Sequence, residues 1–195
     1  MGIDIKRLTP ELSEDYLYFF DNTPHSTNKP EHRCYCVCWS SKDCEGTDFS
    51  SAEKRRDIAK EYVRDGNIQG YLAYVDNKVI GWCNANTKED CYGCVSWKMF
   101  MKPVKEEESD IKIKSVLCFA VSPEMRGQGV ATQLLKRVCE DAKEDGFDLI
   151  EAYPNREFTS TEDDFMGTIS MFEKAGFIRC YEAGNKTVMQ KALKV

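Results

Sequence analysis

Arg126-Gly127-Gln128-Gly129-Val130-Ala131 combine a cation and two glycines immediately before an apolar helical pattern. That composition suits an anion. The first N–H groups of a helix lack partners within it and carry a partial positive charge, and glycines let an oxyanion come close. Arg126 adds a planar fork of charged donors. The phosphates of a nucleotide-like cofactor are the natural guest.

Such a loop works only if a strand and a helix hold it. Residues 116–121 form a short apolar run of the kind a buried strand shows, and Ser122-Pro123 stops it. From Gly129 onward, Val130, Ala131, Leu134, Leu135, Val138 and Ala142 recur at helical steps until Gly146. Three phosphate-binding patterns compete for the loop. The mononucleotide pattern needs Lys followed by Ser or Thr where Val130-Ala131 stand, and fails. The dinucleotide pattern meets Thr132 at its third glycine, and Asp148 opens a strand where a ribose-binding acid should end one. The third, R/Q-x-x-G-x-G/A, is filled by Arg126, Gly129 and Ala131.

This third pattern resembles the acyl-CoA loop of the GNAT superfamily of N-acetyltransferases. Other phrases stand in the family's order over residues 113–192: Val121-Ser122-Pro123, Leu134-Leu135, a strand at 148–153, and Met171-Phe172-Glu173-Lys174-Ala175-Gly176-Phe177. The resemblance implies an α/β fold, a mixed and mostly antiparallel central sheet flanked by helices, with a splayed parallel strand pair holding acetyl-CoA. It implies acetyl transfer to a primary amine, with a small molecule as the expected acceptor. The backbone of Phe119, Ala120 and Val121 would hold pantetheine and polarise the thioester carbonyl. The N–H groups from Arg126 through Gly127, Gln128, Gly129, Val130 and Ala131, with Thr132 beyond, would take the pyrophosphate. Homodimerisation is usual in the family.

Proton handling departs from that pattern. A Lys-type amine has a pKa of about 10.4, so its proton must be removed before attack, and the departing thiolate needs a donor. Phe172 stands where many family members have the donor Tyr, Ser115 where histone-type members have a Glu base, and Phe165 where an Asn helps hold CoA. Glu151 and Tyr153, two apart on one strand, are substitutes, as are Glu31 and His32; Tyr153 is the candidate donor. The rival reading is an acyl-CoA-binding module of the same fold with little turnover.

The 195 residues carry a net charge of −6 without a strongly basic block, which argues against a nucleic-acid partner. No apolar run approaches the roughly 20 residues of a membrane span, and MGIDIKRLTP reads as neither signal nor transit peptide, so a cytoplasmic single domain over 1–195 is expected. The ten cysteines are then expected to be mostly free, buried thiols. Cys34, Cys36, Cys38 and Cys44, and separately Cys91-x-x-Cys94, have some character of a zinc set, but no metal is expected.

The remaining elements read in chain order. Residues 3–8 alternate as a first strand, and Thr9-Pro10 cap a helix to about Phe20. The alternation of 31–39 predicts a short strand with three cysteines on one face. Ser50-Ser51-Ala52-Glu53 resembles a helix cap, and a charged helix follows to about Arg64. Residues 69–75 and 79–85 form a hairpin around Asp76-Asn77-Lys78. Residues 86–112 read as a long irregular loop near the acceptor, which segments 22–50 and 86–112 should build. A helix at 167–175 and a closing hairpin of 177–182 with 187–193 complete the chain.

Overall fold

The computed structural model describes residues 2–23, 29–40, 46–106, 110–160 and 164–193. Among these, seven strands form one mixed sheet. Its order is β1 (Asp4–Arg7), β2 (Gly70–Val75), β3 (Lys78–Thr87), β4 (Ile113–Val121), β5 (Leu149–Ala152), β7 (Lys186–Ala192) and β6 (Ile178–Ala183). The pairing is antiparallel except between β4 and β5, which run parallel from Ile113 beside Leu149 to Val116 beside Ala152. Tyr153-Pro154 then leads the chain away, since proline has no N–H for a ladder. β4 continues to Val121 with, among the described residues, no strand paired to it on the β5 side.

Hydrophobic periodicity explains which helix covers which face. α5 (Val130–Glu144) buries Val130, Leu134, Leu135, Val138 and Ala142 against Ala73, Ile80, Val116 and Ile150 of the sheet. Each of the larger side chains here, Val and Leu, contributes about 1.5–3 kcal/mol when fully buried. α6 (Ile169–Lys174) adds Phe172 to the same layer, and Thr168 Oγ1 caps it by accepting from Met171 N at 3.3 Å. α1 (Ser13–Asn22) and α2 (Ala52–Arg64) cover the other face, where Tyr16, Phe19, Ala59 and Val63 meet Leu72, Tyr74 and Trp82. Leu72 and Ala73 are neighbours on β2, and the strand period of two sends them to opposite layers. Within the expected cap segment Ser50–Glu53, Ser51 is the residue that caps α2, accepting from Lys54 N at 3.2 Å. The β2–β3 turn has φ of 49° at Asp76 and 62° at Asn77, the two left-handed residues of a type I′ hairpin.

The structure corrects three local expectations. Residues 31–39 are not a strand: they make 3₁₀ turns at Pro30–His32 and Val37–Trp39, joined through left-handed Tyr35 and Cys36. Their N–H groups bond three residues back, as Trp39 N does to Cys36 O at 3.1 Å, and Arg55 anchors the bend by donating to Arg33 O at 2.7 Å. Alternation misled here because Tyr35, Cys36, Val37 and Trp39, which a strand would send to both faces, are all buried in the turned segment. Residues 86–112 are not simply a loop, since they hold the end of β3, α3 (Lys88–Cys91) and α4 (Val95–Phe100). Cys91, Cys94, Trp97 and Met101 are all buried, a helical spacing masked by the polar residues between them. The first helix starts late, after a 3₁₀ turn at Pro10–Leu12, and Thr9 makes no side-chain cap bond.

Candidate cofactor and acceptor site

The last residues of β4 alternate their backbone groups between β3 and the open edge. Ser122 N bonds Ile80 O at 3.0 Å, so the N–H groups of Ala120 and Ser122 point to β3 and those of Phe119 and Val121 point to the gap. A register shift at Asn84/Ala85 leaves Leu117 as a bulge beside them. Phe119 N already donates to Phe165 O at 2.7 Å, a contact that no sequence pattern indicated. Val121 O accepts from Arg126 Nε at 3.3 Å, which draws the loop back against the strand end.

The loop begins with a 3₁₀ turn at Pro123–Met125 and is braced where Gln128 Nε2 donates to Glu124 O at 2.8 Å. Gly127 and Gly129 have φ of 74° and 82°, a region that side-chain-bearing residues adopt only with strain. Gly129 is the N-cap of α5, and the first helical bond runs from Gln133 N to Gly129 O at 3.0 Å. The N–H groups of Val130, Ala131 and Thr132 therefore lack helical partners. Close packing fixes where they point: a Cβ on Gly81 would lie 2.8 Å from Val130 Cγ1, so the start of α5 rests directly on β3. Ser122 Oγ is buried without a hydrogen-bond partner at the foot of this loop, another polar group that sequence reading missed. Free N–H groups, an exposed guanidinium and an unused hydroxyl form an arrangement that fits a phosphate-bearing ligand.

Tyr153 follows β5 at the point where the parallel pair parts. Its ring is completely buried, edge-on to Trp97 at 5.7 Å between centroids, and its hydroxyl shares a 2.6 Å hydrogen bond with Ser115 Oγ. Burial, and then the Glu151 carboxylate, push its pKa well above the ordinary phenol value, so the hydroxyl is held protonated. Glu151 is itself buried and paired with Lys88 Nζ at 2.8 Å, and Gln190 Nε2 donates to its other oxygen at 2.8 Å. The sequence placed Tyr153 and Glu151 on one face; it did not reveal Lys88 as the partner. Glu31 and His32 lie in the turned segment on the α1–α2 side.

A cleft of about 820 Å³ opens next to Phe165, lined by Trp39, Asn155, Arg156, Met166 and Lys186 among others. Asp164 organises its wall by accepting from Asn155 Nδ2 at 2.9 Å, Thr159 N at 2.8 Å and Ser160 N at 3.1 Å. Lys186 Nζ donates to Asn155 Oδ1 at 2.6 Å, and Arg156 pairs with Glu182 at 3.0 Å. Trp39 and Phe165 form the aromatic side, 6.5 Å apart.

The cysteine segments lie in different apolar clusters. Cys34, Cys36 and Cys38 pack with α1 and α2, where Trp82 Nε1 donates to Cys36 Sγ at 3.3 Å; Cys91 and Cys94 pack with Trp97 and Leu117. Among the described residues every cysteine is a free thiol, and no three His, Cys, Asp or Glu side chains are grouped to hold a metal ion. Cys44 lies outside the described residues. No described helix is long and apolar enough to cross a membrane.

A parallel pair that parts beside a glycine loop and an open helix start is the arrangement that the resemblance to acetyltransferases led one to expect. The sequence model of the acetyltransferase (GNAT) family matches residues 32–177, and the chain belongs to that family. Solved structures agree in fold. An aminoglycoside acetyltransferase, AAC(6')-Ib, in complex with coenzyme A is 16% identical, with a TM-score of 0.60 over 98% of this chain and 95% of that one. The PaiA N-acetyltransferase of Thermoplasma acidophilum in complex with coenzyme A is 16% identical, with a TM-score of 0.54 over 98% and 99% of the two chains. A ribosomal-protein-alanine N-acetyltransferase from Brucella melitensis is 16% identical, with a TM-score of 0.54 over 97% and 99%. No curated protein matches the chain.

Proposed function

We propose that this protein transfers the acetyl group of acetyl-CoA to a primary amine of a small molecule. The observation that carries the reading is the open edge of β4 running directly into the left-handed glycines and unpartnered N–H groups at the start of α5. The backbone of Phe119, Ala120 and Val121 would align the pantetheine arm. Arg126, Gly127, Gln128, Gly129, Val130, Ala131 and Thr132 would hold the pyrophosphate. The cleft beside Phe165 would admit the amine. Tyr153 is the proposed proton donor, because its hydroxyl lies where the parallel pair parts and is protonated near neutral pH.

A second reading is favoured by one contact. The Phe119 N–H that would polarise the thioester carbonyl is engaged by Phe165 O, as in a protein that holds acyl-CoA with little turnover. Release of free thiol from acetyl-CoA across a panel of primary amines separates the two. Amine-dependent release well above the hydrolysis blank supports transfer; saturable CoA binding with no amine-dependent release supports the binding module.

A further inference from the structure

A second cleft, of about 540 Å³, lies at the far end of β4 and α5 and is lined by Arg7, Gln69, Lys112, Lys114, Asp145 and Phe147 among others. α5 has 15 residues, so at 1.5 Å per residue the cleft is about 22 Å from the glycine loop. Three cations line it against the single carboxylate of Asp145. How each cation is engaged decides what the cleft can hold. Arg7 is fully used: Nε donates to Asp141 at 3.1 Å, Nη1 to Asp145 at 3.3 Å, and Nη2 pairs with both carboxylates at 2.9 Å. Lys112 Nζ covers the carbonyl end of α5, 3.3 Å from Asp145 O, and lies 4.5 Å from the centre of the Phe147 ring.

Lys114 is different. It is 7% exposed, its Nζ reaches only the neutral amide oxygen of Gln69 at 3.4 Å, and it lies 5.0 Å from the centre of the Phe147 ring. Among the described residues no carboxylate lies within 4.0 Å of it. Burial and the nearby Arg7 guanidinium push its pKa down to about 8, against the weaker opposing pull of Asp145, Cys91 and Asp90. A buried amine with spare donors and, among the described residues, no carboxylate in contact thus faces a cleft of ligand size.

We propose that this cleft binds a small oxyanion, a phosphate or carboxylate group held between Lys112 and Lys114. Such a group supplies the charge that Asp145 cannot, because both Asp145 oxygens are bound to Arg7. It also favours the protonated form of Lys114. With its pKa lowered to about 8, that amine gains protons when the anion binds near pH 8, so binding takes up protons from solution. The proposal is independent of the acetyl-transfer reading.

The test is titration calorimetry on the full chain at pH 8 with saturating coenzyme A, which keeps the probes off the glycine loop. Inorganic phosphate and succinate are the probes, each in two buffers of unlike ionisation heat. The expected result is one site with a buffer-dependent heat that reports proton uptake. Lys114→Met should weaken it at least tenfold, and Lys112→Gln, nearer the surface, should weaken it severalfold without disturbing the core. Binding of phosphate alone identifies a phosphoryl ligand; binding of succinate alone identifies a carboxylate. No heat from either probe, or affinities unchanged in both variants, overturns the proposal.

Discussion

Replacing Gly129 with Ala separates the phosphate-binding role of the loop from its backbone strain. Gly129 has φ of 82°, and no atom lies within 4 Å of where a Cβ would sit, so the methyl group meets open space and the intrinsic cost is conformational. A residue with a side chain in the left-handed region costs about 1–2 kcal/mol. Gly146, at the opposite end of α5, has φ of 76° and the same empty surroundings, which makes Gly146→Ala a matched control. Without ligand, both variants should unfold with similarly reduced stability. Acetyl-CoA at a hundredfold excess over Kd should add about 2.7 kcal/mol to the native protein, or roughly 5–10 °C in midpoint for a chain of this size. Gly146→Ala should keep that shift. Gly129→Ala should lose most of it, because the methyl group occupies the approach to the N–H groups of Val130 and Ala131. Thermal unfolding of the three proteins with and without acetyl-CoA decides the matter. A full shift in Gly129→Ala, or its loss in Gly146→Ala as well, would refute the assignment of the phosphate to this loop.

Other consequences follow from the buried polar groups. Tyr153→Phe should cost about 1–3 kcal/mol by leaving Ser115 Oγ unpaired, and, if the phenol donates a proton, should lower kcat at least tenfold with KM little changed; turnover equal to the native rate removes Tyr153 from the chemistry. Lys88→Met strands the Glu151 carboxylate and should destabilise the protein by about 3–5 kcal/mol in urea unfolding, whereas Lys88→Met with Glu151→Leu should recover most of that loss. Burial alone would raise the Asp141 pKa, but the Arg137 and Arg7 guanidinium groups outweigh it and hold the carboxyl below its usual range. A depressed folded pKa means this stabilisation is present above about pH 4 and is lost as pH falls through the folded value. Asp141→Asn should therefore be less stable near neutrality and show a flatter acid-unfolding profile, and an unchanged profile would count against the ion pair's role.

Local chemistry made the cofactor half readable from sequence. The strand at 113–121, the turn at Ser122-Pro123 and the helix from Val130 are each specified by neighbours a few residues away, and Gly129 meets a backbone demand that the sequence states directly. The cap of α2 within Ser50–Glu53 and the hairpin at Asp76-Asn77-Lys78 were readable for the same reason. Residues 31–39 and 86–112 were not, because their conformations answer to distant partners. Arg55 holds the bend at Arg33, and the short helices α3 and α4 are supported by Leu117 and Tyr153 rather than by their own length. Isolated helices of four and six residues have no stability in water, so propensity and periodicity alone do not reveal them.

The sequence by itself determined the family, the left-handed glycines before α5 and the strands on either side of them, because those depend on local backbone geometry and regular apolar spacing. Only the tertiary structure decided that Phe165 reaches the Phe119 N–H, that Lys88 neutralises Glu151, and that Lys114 shares a cleft with Lys112 and Arg7. Arg7 and Asp141 are separated by 134 positions, and Lys88 opens α3 whereas Glu151 lies on β5. The sign and solvation of such pairs are set by which surfaces the sheet brings together, a long-range outcome that no window of sequence contains.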